Sequence, residues 1–245
     1  MRTIIAAATM LVLASASTAQ GQIAAGTMML GGSVGYIQQS TEGAVGNTNE
    51  KLSELWQFNV SPTAAYFLVD NLAVGLNLGY SGSTGTLYNY IRAVPIGGTG
   101  SGVTVLQDVS ELRSYNLRVG PIARYYQFVG EKAALFGQLG GGYQANRMEG
   151  ETTSADPLYV SSELVTGGGF FAQLMPGFAF FPTHKLALEV TLGGFGYQRQ
   201  TQKATFTQPA MVPASNVREY TASSFGASFG LSSLQLGAVF YLGRK

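Results

Sequence analysis

Apolar side chains occupy every second position on both sides of Asp70-Asn71, in the stretch SPTAAYFLVDNLAVGLNLGY from Ser61 to Tyr80. A period of two places alternate side chains on opposite faces of a β-strand. One face carries large apolar residues. The other carries small or mildly polar ones, which are too weakly polar for a face exposed to bulk water. The pattern therefore predicts a hairpin of two strands that belongs to a membrane-spanning β-barrel.

Aromatic residues recur at a fixed spacing around three strand prolines. The sets are Trp56, Pro62 and Tyr66; Tyr115, Pro121 and Tyr125; and Phe170, Pro176 and Phe180. Gly-Tyr pairs add Tyr36, Tyr80, Tyr143 and Tyr197. Ten residues of tilted strand rise about 25 Å, the height of the apolar band of an outer-membrane barrel. We predict that these aromatic residues form a girdle at the two membrane interfaces. Each proline removes a ladder hydrogen bond, and we expect a local bulge to accommodate each one.

Short turns and longer polar connections alternate along the chain. The predicted turns are Asp70-Asn71, Gly130 to Lys132 and Thr183 to Lys185, and the predicted loops are about 40–54, 81–102, 147–157 and 201–219. Strict alternation is typical of periplasmic turns and extracellular loops. The apolar parity changes once, at Gly193-Gly194, which predicts a bulge. The sequence thus predicts an all-β, eight-stranded antiparallel up-and-down transmembrane β-barrel.

The N-terminus has a different pattern. Residues 1 to 19, MRTIIAAATMLVLASASTA, combine Arg2, an apolar core through Leu13 and the small residues Ser17 and Ala19. This order predicts a cleavable signal peptide, followed by a single barrel domain over residues 20 to 245. The alternative, a first transmembrane helix, is disfavoured by the short apolar core. No run of about 20 apolar residues follows it, which excludes helical spanning.

The composition excludes some classes of partner and of site chemistry. Of the 14 basic residues the signal peptide removes Arg2, which leaves 13 basic against 13 acidic residues. A neutral mature chain does not predict a nucleic-acid partner. The chain has no cysteine, which excludes disulfides, thiolate catalysis and cysteine-based zinc sites.

The hairpin pattern resembles the small outer-membrane β-barrels of Gram-negative bacteria, in particular Bacteroidetes-type barrel domains. The matching stretches are SPTAAYFLVDNLAVGLNLGY, MPGFAFFPTHKLALEVTLGGFGY and the terminal LGAVFYL. The resemblance implies an outer-membrane location among lipids and lipopolysaccharide. It also implies recognition of the last strand by the barrel-assembly machinery through a terminal aromatic. Phe240 and Tyr241 are the candidates, although GRK follows Leu242.

Three charged residues fall on the inward parity of the predicted barrel: Arg118, Arg124 and Glu189. An eight-stranded barrel is just wide enough for its side chains to fill it. Arg124 and Glu189 lie at similar depths, so an ion pair across the lumen would plug the barrel. Separate polar fillers bonded to water or backbone are the alternative interpretation.

The sequence predicts no catalytic residue, cofactor or metal site. The single histidine, His184, belongs to a predicted periplasmic turn, and no base accompanies the loop serines. Glu149, Glu151 and Asp156 share one predicted loop and could bind a divalent cation, but a solvated surface facing lipopolysaccharide explains them as well.

We therefore predict a non-enzymatic outer-membrane barrel with a structural or surface-interaction role carried by its extracellular loops, for an extracellular ligand that the sequence does not identify. Two alternatives stay open. One is a narrow channel or carrier for small solutes, if the inward charges line a path. The other is a soluble periplasmic lipid-binding barrel with its apolar parity inside. Its outer face would then carry few charges, which disfavours it.

Overall fold

The fold consists of ten strand segments in one antiparallel sheet, as seen in a computed structural model that describes residues 22–45, 48–93, 103–154, 160–207, 216–230 and 234–243. The segments are β1 (Met28–Val45), β2 (Thr48–Val69), β3 (Leu72–Ala93), β4 (Val103–Phe128), β5 (Ala133–Ser154), β6 (Ser161–Thr183), β7 (Leu186–Thr191), β8 (Gly193–Thr207), β9 (Asn216–Phe229) and β10 (Gln235–Leu242). The predicted signal peptide lies outside the described residues. None of the described residues forms a helix long and apolar enough to cross a membrane.

Ten segments make eight barrel strands, because β7 continues into β8 and β9 into β10. Gly177 of β6 faces Thr191, whereas Leu174, three residues earlier, faces Phe195, four residues later. One extra residue is thus inserted at Leu192-Gly193, where Gly193 has a φ of 95°. The bulge predicted from the parity change is confirmed. The sheet closes where β5 pairs with β6 and β1 pairs with β10, which confirms the eight-stranded barrel.

The closing seam between the last strand and the first is paired only in its lower part. β1 pairs with β10 from Met28 to Ser33. Above Ser33 the described residues of β1 pair only with β2, and those of β9 pair only with β8. Side chains on both faces of β9 from Val217 onward are exposed. Among the described residues, the upper part of β1 and the whole of β9 therefore each have a ladder on one side only.

The strands continue far beyond the predicted span, so the four predicted polar loops are wrong over most of their length. β1 and β2 pair up to Val45 and Thr48, and β3, β5 and β8 extend to Ala93, Ser154 and Thr207. The 22 residues of β2 rise about 55 Å at 3.3 Å per residue and a tilt near 40°. Both faces of this extension contact water, so the alternation signal disappears although the ladder continues. Residues 46–47, 94–102, 155–157 and 208–215 of the predicted loops lie outside the described residues.

The three strand prolines sit beside two-residue gaps in the ladder. β2 pairs with β3 at Val60 and again at Thr63, and β4 pairs with β5 at Val119 and again at Ile122, with unchanged register. A bulge at Pro62 and Pro121 is therefore wrong, because the ladder is interrupted without a slip. Beside Pro176 the gap coincides with the bulge before Gly193.

At Pro62 a side chain fills the interruption. Nδ2 of Asn77 donates to the Pro62 carbonyl oxygen at 3.2 Å and to Oγ1 of Thr63 at 2.7 Å. The carbonyl that lost its ladder partner is thus satisfied from inside the barrel, as a buried backbone acceptor in a membrane requires.

The outer and inner faces differ as the alternation predicts. Large apolar side chains are exposed around the outside, among them Leu76, Leu78, Leu117, Val119, Leu135, Leu139, Leu174 and Leu188. The buried core lies instead inside the lower end of the barrel, where aromatic side chains pack together. An apolar belt outside and a filled lower lumen define the position of the candidate site.

Candidate functional site in the barrel lumen

The lower lumen is crossed by an ion pair between Arg124 of β4 and Glu189 of β7. Nη1 of Arg124 donates to both carboxylate oxygens of Glu189, at 2.9 and 2.7 Å. Only 8% of the arginine side chain and 7% of the glutamate side chain is exposed. Each charge is removed from water, and each needs the other, because an unpaired buried charge is strongly destabilising.

Three further side chains satisfy the remaining polar groups of this pair. Oε1 of Gln138 accepts from Nε and Nη2 of Arg124, at 2.9 and 2.6 Å. The hydroxyl of Tyr126 donates to Oε1 of Glu189 at 2.9 Å and accepts from Nη1 of Arg124 at 2.9 Å. The hydroxyl of Tyr241 donates to that of Tyr126 at 2.9 Å. We call Arg124, Glu189, Gln138, Tyr126 and Tyr241 the lower cluster. Its members come from β4, β5, β7 and β10, so it connects opposite walls of the barrel.

An aromatic floor lies against the lower cluster. Stacked or tilted ring contacts with centroids 5.3 to 6.1 Å apart join Phe67, Tyr126, Phe128, Phe136, Phe181 and Tyr241. The guanidinium carbon of Arg124 lies 4.6 Å from the ring centre of Phe136, a cation–π distance. Aromatic rings thus fill the lumen below the ion pair.

The segment before β1 completes the floor. The backbone N–H of Ile23 donates to Oδ1 of Asn71 at 2.9 Å, and the N–H of Asn71 donates to the Ile23 carbonyl at 2.9 Å. Asn71 has a φ of 63°, a left-handed conformation that asparagine tolerates in a turn. Oδ1 of Asp70 accepts from the N–H of Ala25 at 2.9 Å. These bonds hold the fully buried Ile23 under the aromatic floor.

Arg118, which the sequence grouped with Arg124 and Glu189, does not join their ion pair. It lies six residues before Arg124 on β4, about 20 Å along the strand. Among the described residues, no carboxylate lies within ion-pair distance of it, and its buried Nε has no hydrogen-bond partner. Its guanidinium carbon lies 5.3 Å from the ring centre of Phe171. The predicted three-residue group is therefore one closed pair and one separate arginine.

A cavity of about 340 Å³ lies between Arg118 and the lower cluster. Most of its wall is polar and uncharged, with Ser33, Asn59, Ser61, Thr63, Asn77, Ser81, Asn116 and Gln173 among the lining residues. The charged residues that line it are Arg118, Arg124 and Glu189. Since Arg124 and Glu189 neutralise each other, the cavity carries one uncompensated positive charge.

A wider cavity of about 680 Å³ occupies the mouth of the barrel above the girdle. Leu55, Leu87 and Leu112 line it together with Glu151 and Glu163. The three leucines share the inward parity of their strands, which is otherwise polar in the middle of the barrel. The lumen therefore changes from apolar at the mouth to polar in the middle and aromatic at the floor.

All ten aromatic residues of the predicted girdle are exposed on the outside of the barrel: Tyr36, Trp56, Tyr66, Tyr80, Tyr115, Tyr125, Tyr143, Phe170, Phe180 and Tyr197. Edge-to-face contacts join Tyr36 with Trp56 at 6.2 Å and Tyr143 with Phe170 at 5.8 Å. The function of these rings as interface anchors stays a prediction.

The remaining candidates give no reactive arrangement in the described part of the chain. His184 lies exposed in the turn between β6 and β7. Glu149 pairs with Arg147 on β5, and Asp156 lies outside the described residues. No group of three metal-ligating side chains occurs among the described residues.

Sequence reasoning missed Tyr126 and Tyr241 as members of the lower cluster. The alternation of the strands could have placed both side chains inside the barrel, because Tyr126 is two residues from the inward Arg124 and Tyr241 follows the outward Phe240. Tyr241 is fully buried and Phe240 is 55% exposed. Of the two terminal aromatic candidates, only Phe240 therefore remains on the outer surface.

No protein family matches the chain, and no curated protein matches its sequence. Among solved structures, it is similar to a major outer membrane protein from Thermus thermophilus, with a TM-score of 0.44 and 14% identity over 89% of this chain and 100% of that one. The outer membrane protein OprG from Pseudomonas aeruginosa has a TM-score of 0.43 and 12% identity over 91% and 99%. Ail, the attachment invasion locus protein of Yersinia pestis, has a TM-score of 0.25 and 15% identity over 89% and 99%.

The strand pairing and the outward apolar belt of this chain identify the environment in which it is stable. Up to Ser33 of β1 the antiparallel barrel is paired all the way round and satisfies its backbone groups internally, and its apolar outer face requires lipid. The chain is therefore an eight-stranded β-barrel built to span a lipid membrane.

Proposed function

We propose that the protein has a plugged lumen and acts, without catalysis, through its extracellular part in a structural or surface-interaction role. The lower cluster carries this proposal. Arg124 and Glu189 connect opposite walls, and the aromatic floor and Ile23 fill the space beneath them. A solute that entered the lumen would have to break buried hydrogen bonds to charged groups before it reached the periplasm.

The exterior extension supports a role outside the cell. Strands such as β2 continue beyond the girdle residue Trp56 to Thr48, and the mouth holds an open cavity lined by leucine and glutamate side chains. This surface is large, ordered and accessible from outside. An extracellular ligand or partner would therefore meet paired strands over the described part of this extension.

Ion conductance tests the closed lumen. The refolded protein, residues 20–245, is inserted into planar lipid bilayers, and we expect no discrete current steps. Arg124→Ser and Glu189→Ser remove both charges of the plug, and Phe67→Ser with Phe136→Ser opens the aromatic floor beneath them, so this combined variant should produce steps. The matched control is Arg113→Ser with Glu111→Ser, an exposed pair outside the girdle, which should stay silent. Discrete current steps from the unaltered protein would refute the proposal of a plugged lumen and favour the narrow channel.

Attachment of whole cells tests the surface role. Bacteria that express the protein are compared with vector controls for adherence to each other and to coated surfaces. We expect increased adherence that is lost when the tips of the β1–β2 and β3–β4 hairpins are shortened, with the barrel still folded. Unchanged adherence in all strains would remove the surface-interaction proposal and leave a structural one.

Three further elements belong to this proposal. Residues 1 to 19 act as the signal peptide, the barrel-assembly machinery recognises the last strand through outward Phe240, and the barrel is of the Bacteroidetes type. The soluble lipid-binding alternative is disfavoured because the apolar parity faces outward and the lumen is polar in its middle.

A further inference from the structure

We propose that the middle of the lumen binds a small oxyanion, a carboxylate or a phosphate group, on the guanidinium of Arg118. The site is the cavity of about 340 Å³ above the lower cluster. It is distinct from the plug, whose charges already compensate each other, and it is not needed for the plug to close the barrel.

The first argument is charge. Arg118 is always ionised and half-buried, and the described residues place no carboxylate near it. Gln144, its neighbour on β5, is a neutral amide whose Nε2 donates to Gln198 instead. A partly desolvated cation without a counter-ion attracts any small anion that can reach it.

The second argument is geometry. The guanidinium carbon of Arg118 lies 5.3 Å from the ring centre of Phe171 on β6, and its buried Nε has no hydrogen-bond partner among the described residues. Arg118 lines the cavity above the plug and a second one of about 370 Å³ beside Gly194 and Gly196. A planar guanidinium presents a fork of N–H donors that matches the two oxygens of a carboxylate or phosphate.

The third argument is the character of the wall. Amide and hydroxyl side chains such as Asn116, Gln173 and Ser81 surround the cavity and can donate to an anion without adding charge. Gly79 has no side chain to occupy the space beside Arg118. A Cβ at this position would lie 3.6 Å from the Arg118 Cβ, so a larger side chain would extend into the cavity. Room, donors and one net positive charge coincide at this level.

The test uses the refolded protein, residues 20–245, in detergent micelles. The side-chain Nε–Hε signal of Arg118 is followed by NMR during titration with inorganic phosphate, sodium acetate and sodium chloride. We expect a saturable shift with phosphate or acetate and a weaker one with chloride, a single spherical ion that has no pair of oxygens to match the fork. Phosphate and acetate titrations separate the two oxyanion classes.

Variants show whether the shift reports binding at this residue. Binding is also measured by calorimetry with the better oxyanion, and Arg118→Gln should abolish the saturable heat. Arg113→Gln removes the same charge from an exposed position and should leave the heat unchanged. Gly79→Val fills the cavity and keeps the arginine, so it should weaken binding at least tenfold even if Arg118→Gln misfolds.

Two results would overturn the proposal. One is the lack of any saturable change with phosphate and acetate in the folded protein. The other is a titration of the same affinity in Arg118→Gln or Gly79→Val, which would place the anion elsewhere. Heat-modifiable migration in SDS gels verifies that each variant is folded.

Discussion

Replacing Glu189 by glutamine tests the lower cluster directly. Glutamine has nearly the shape of glutamate, but it turns one acceptor oxygen into an N–H₂ donor that faces Nη1 of Arg124. The substitution leaves the arginine charge buried without compensation, although the remaining amide oxygen can still accept from Tyr126. Removing one partner of a buried ion pair costs about 3–5 kcal/mol. We expect Glu189→Gln to lower the free energy of unfolding by that amount.

The assay is reversible unfolding by guanidinium from phospholipid vesicles. Trp56, the single tryptophan, lies outside the barrel and reports insertion by fluorescence, and gel migration reports folding independently. Glu111→Gln is the matched control, because its partner Arg113 is exposed and solvent screens the pair. The control should change the unfolding free energy far less than Glu189→Gln.

A double-mutant cycle separates the pair from its surroundings. Arg124→Met with Glu189→Met removes both charges and fills similar volume, so it should destabilise less than Glu189→Gln alone. Coupling between the two sites should reach the upper part of the range of about 0.5–3 kcal/mol seen for contacting residues. A loss below about 1 kcal/mol for Glu189→Gln, or single effects that simply add, would refute the reasoning.

Three other predictions concern the outer wall. In vesicles of brominated lipids, Trp56 should be quenched more strongly by bromine attached near the glycerol than by bromine at mid-chain if the predicted girdle lies at the interface; the reverse order would contradict this prediction. Gly193→Ala should destabilise by about 1 kcal/mol or more because φ is 95°, whereas Gly130→Ala, with open space around it, should be nearly neutral in the same unfolding assay. The hydrogen bond between Lys51 and Glu54 lowers the pKa of Glu54 and raises the pKa of Lys51. The ion pair should therefore be fully formed between the ordinary pKa values of glutamate and lysine. NMR titration of both side chains should show that it is lost only when the pH falls through the lowered pKa of Glu54 or rises through the raised pKa of Lys51.

Alternation along the sequence was sufficient to predict the barrel, because lipid outside and a packed lumen inside impose a period of two on every spanning strand. Parity alone also placed Arg124 and Glu189 inside. Parity does not report which residues of distant strands share a level, since that depends on shear around the whole sheet. Tyr126 and Tyr241, 115 residues apart, could therefore not be paired with each other from local pattern.

The exterior strands and the floor escaped prediction for a related reason. Above the membrane both faces of β1 and β2 are wet, so no apolar face marks the residues from Ser40 to Val45 although each pairs with β2. Ile23 lies in a short lead-in without periodicity. Its burial depends on hydrogen bonds to Asn71, a turn residue 48 positions away.

The contrast between Arg118 and Arg124 shows how the facing strands, and not the arginine itself, decide the character of each lumen level. Both lie on the inward parity of β4. At the lower level Glu189 of β7 compensates the charge, and the hydroxyls of Tyr126 and Tyr241 complete the hydrogen bonds around the pair. At the upper level it presents Phe171 and neutral amides, so the charge stays available. If the proposed plug holds, a solute that enters past the leucines of the mouth would reach Arg118 and stop above the lower cluster, so that recognition would take place from the extracellular side.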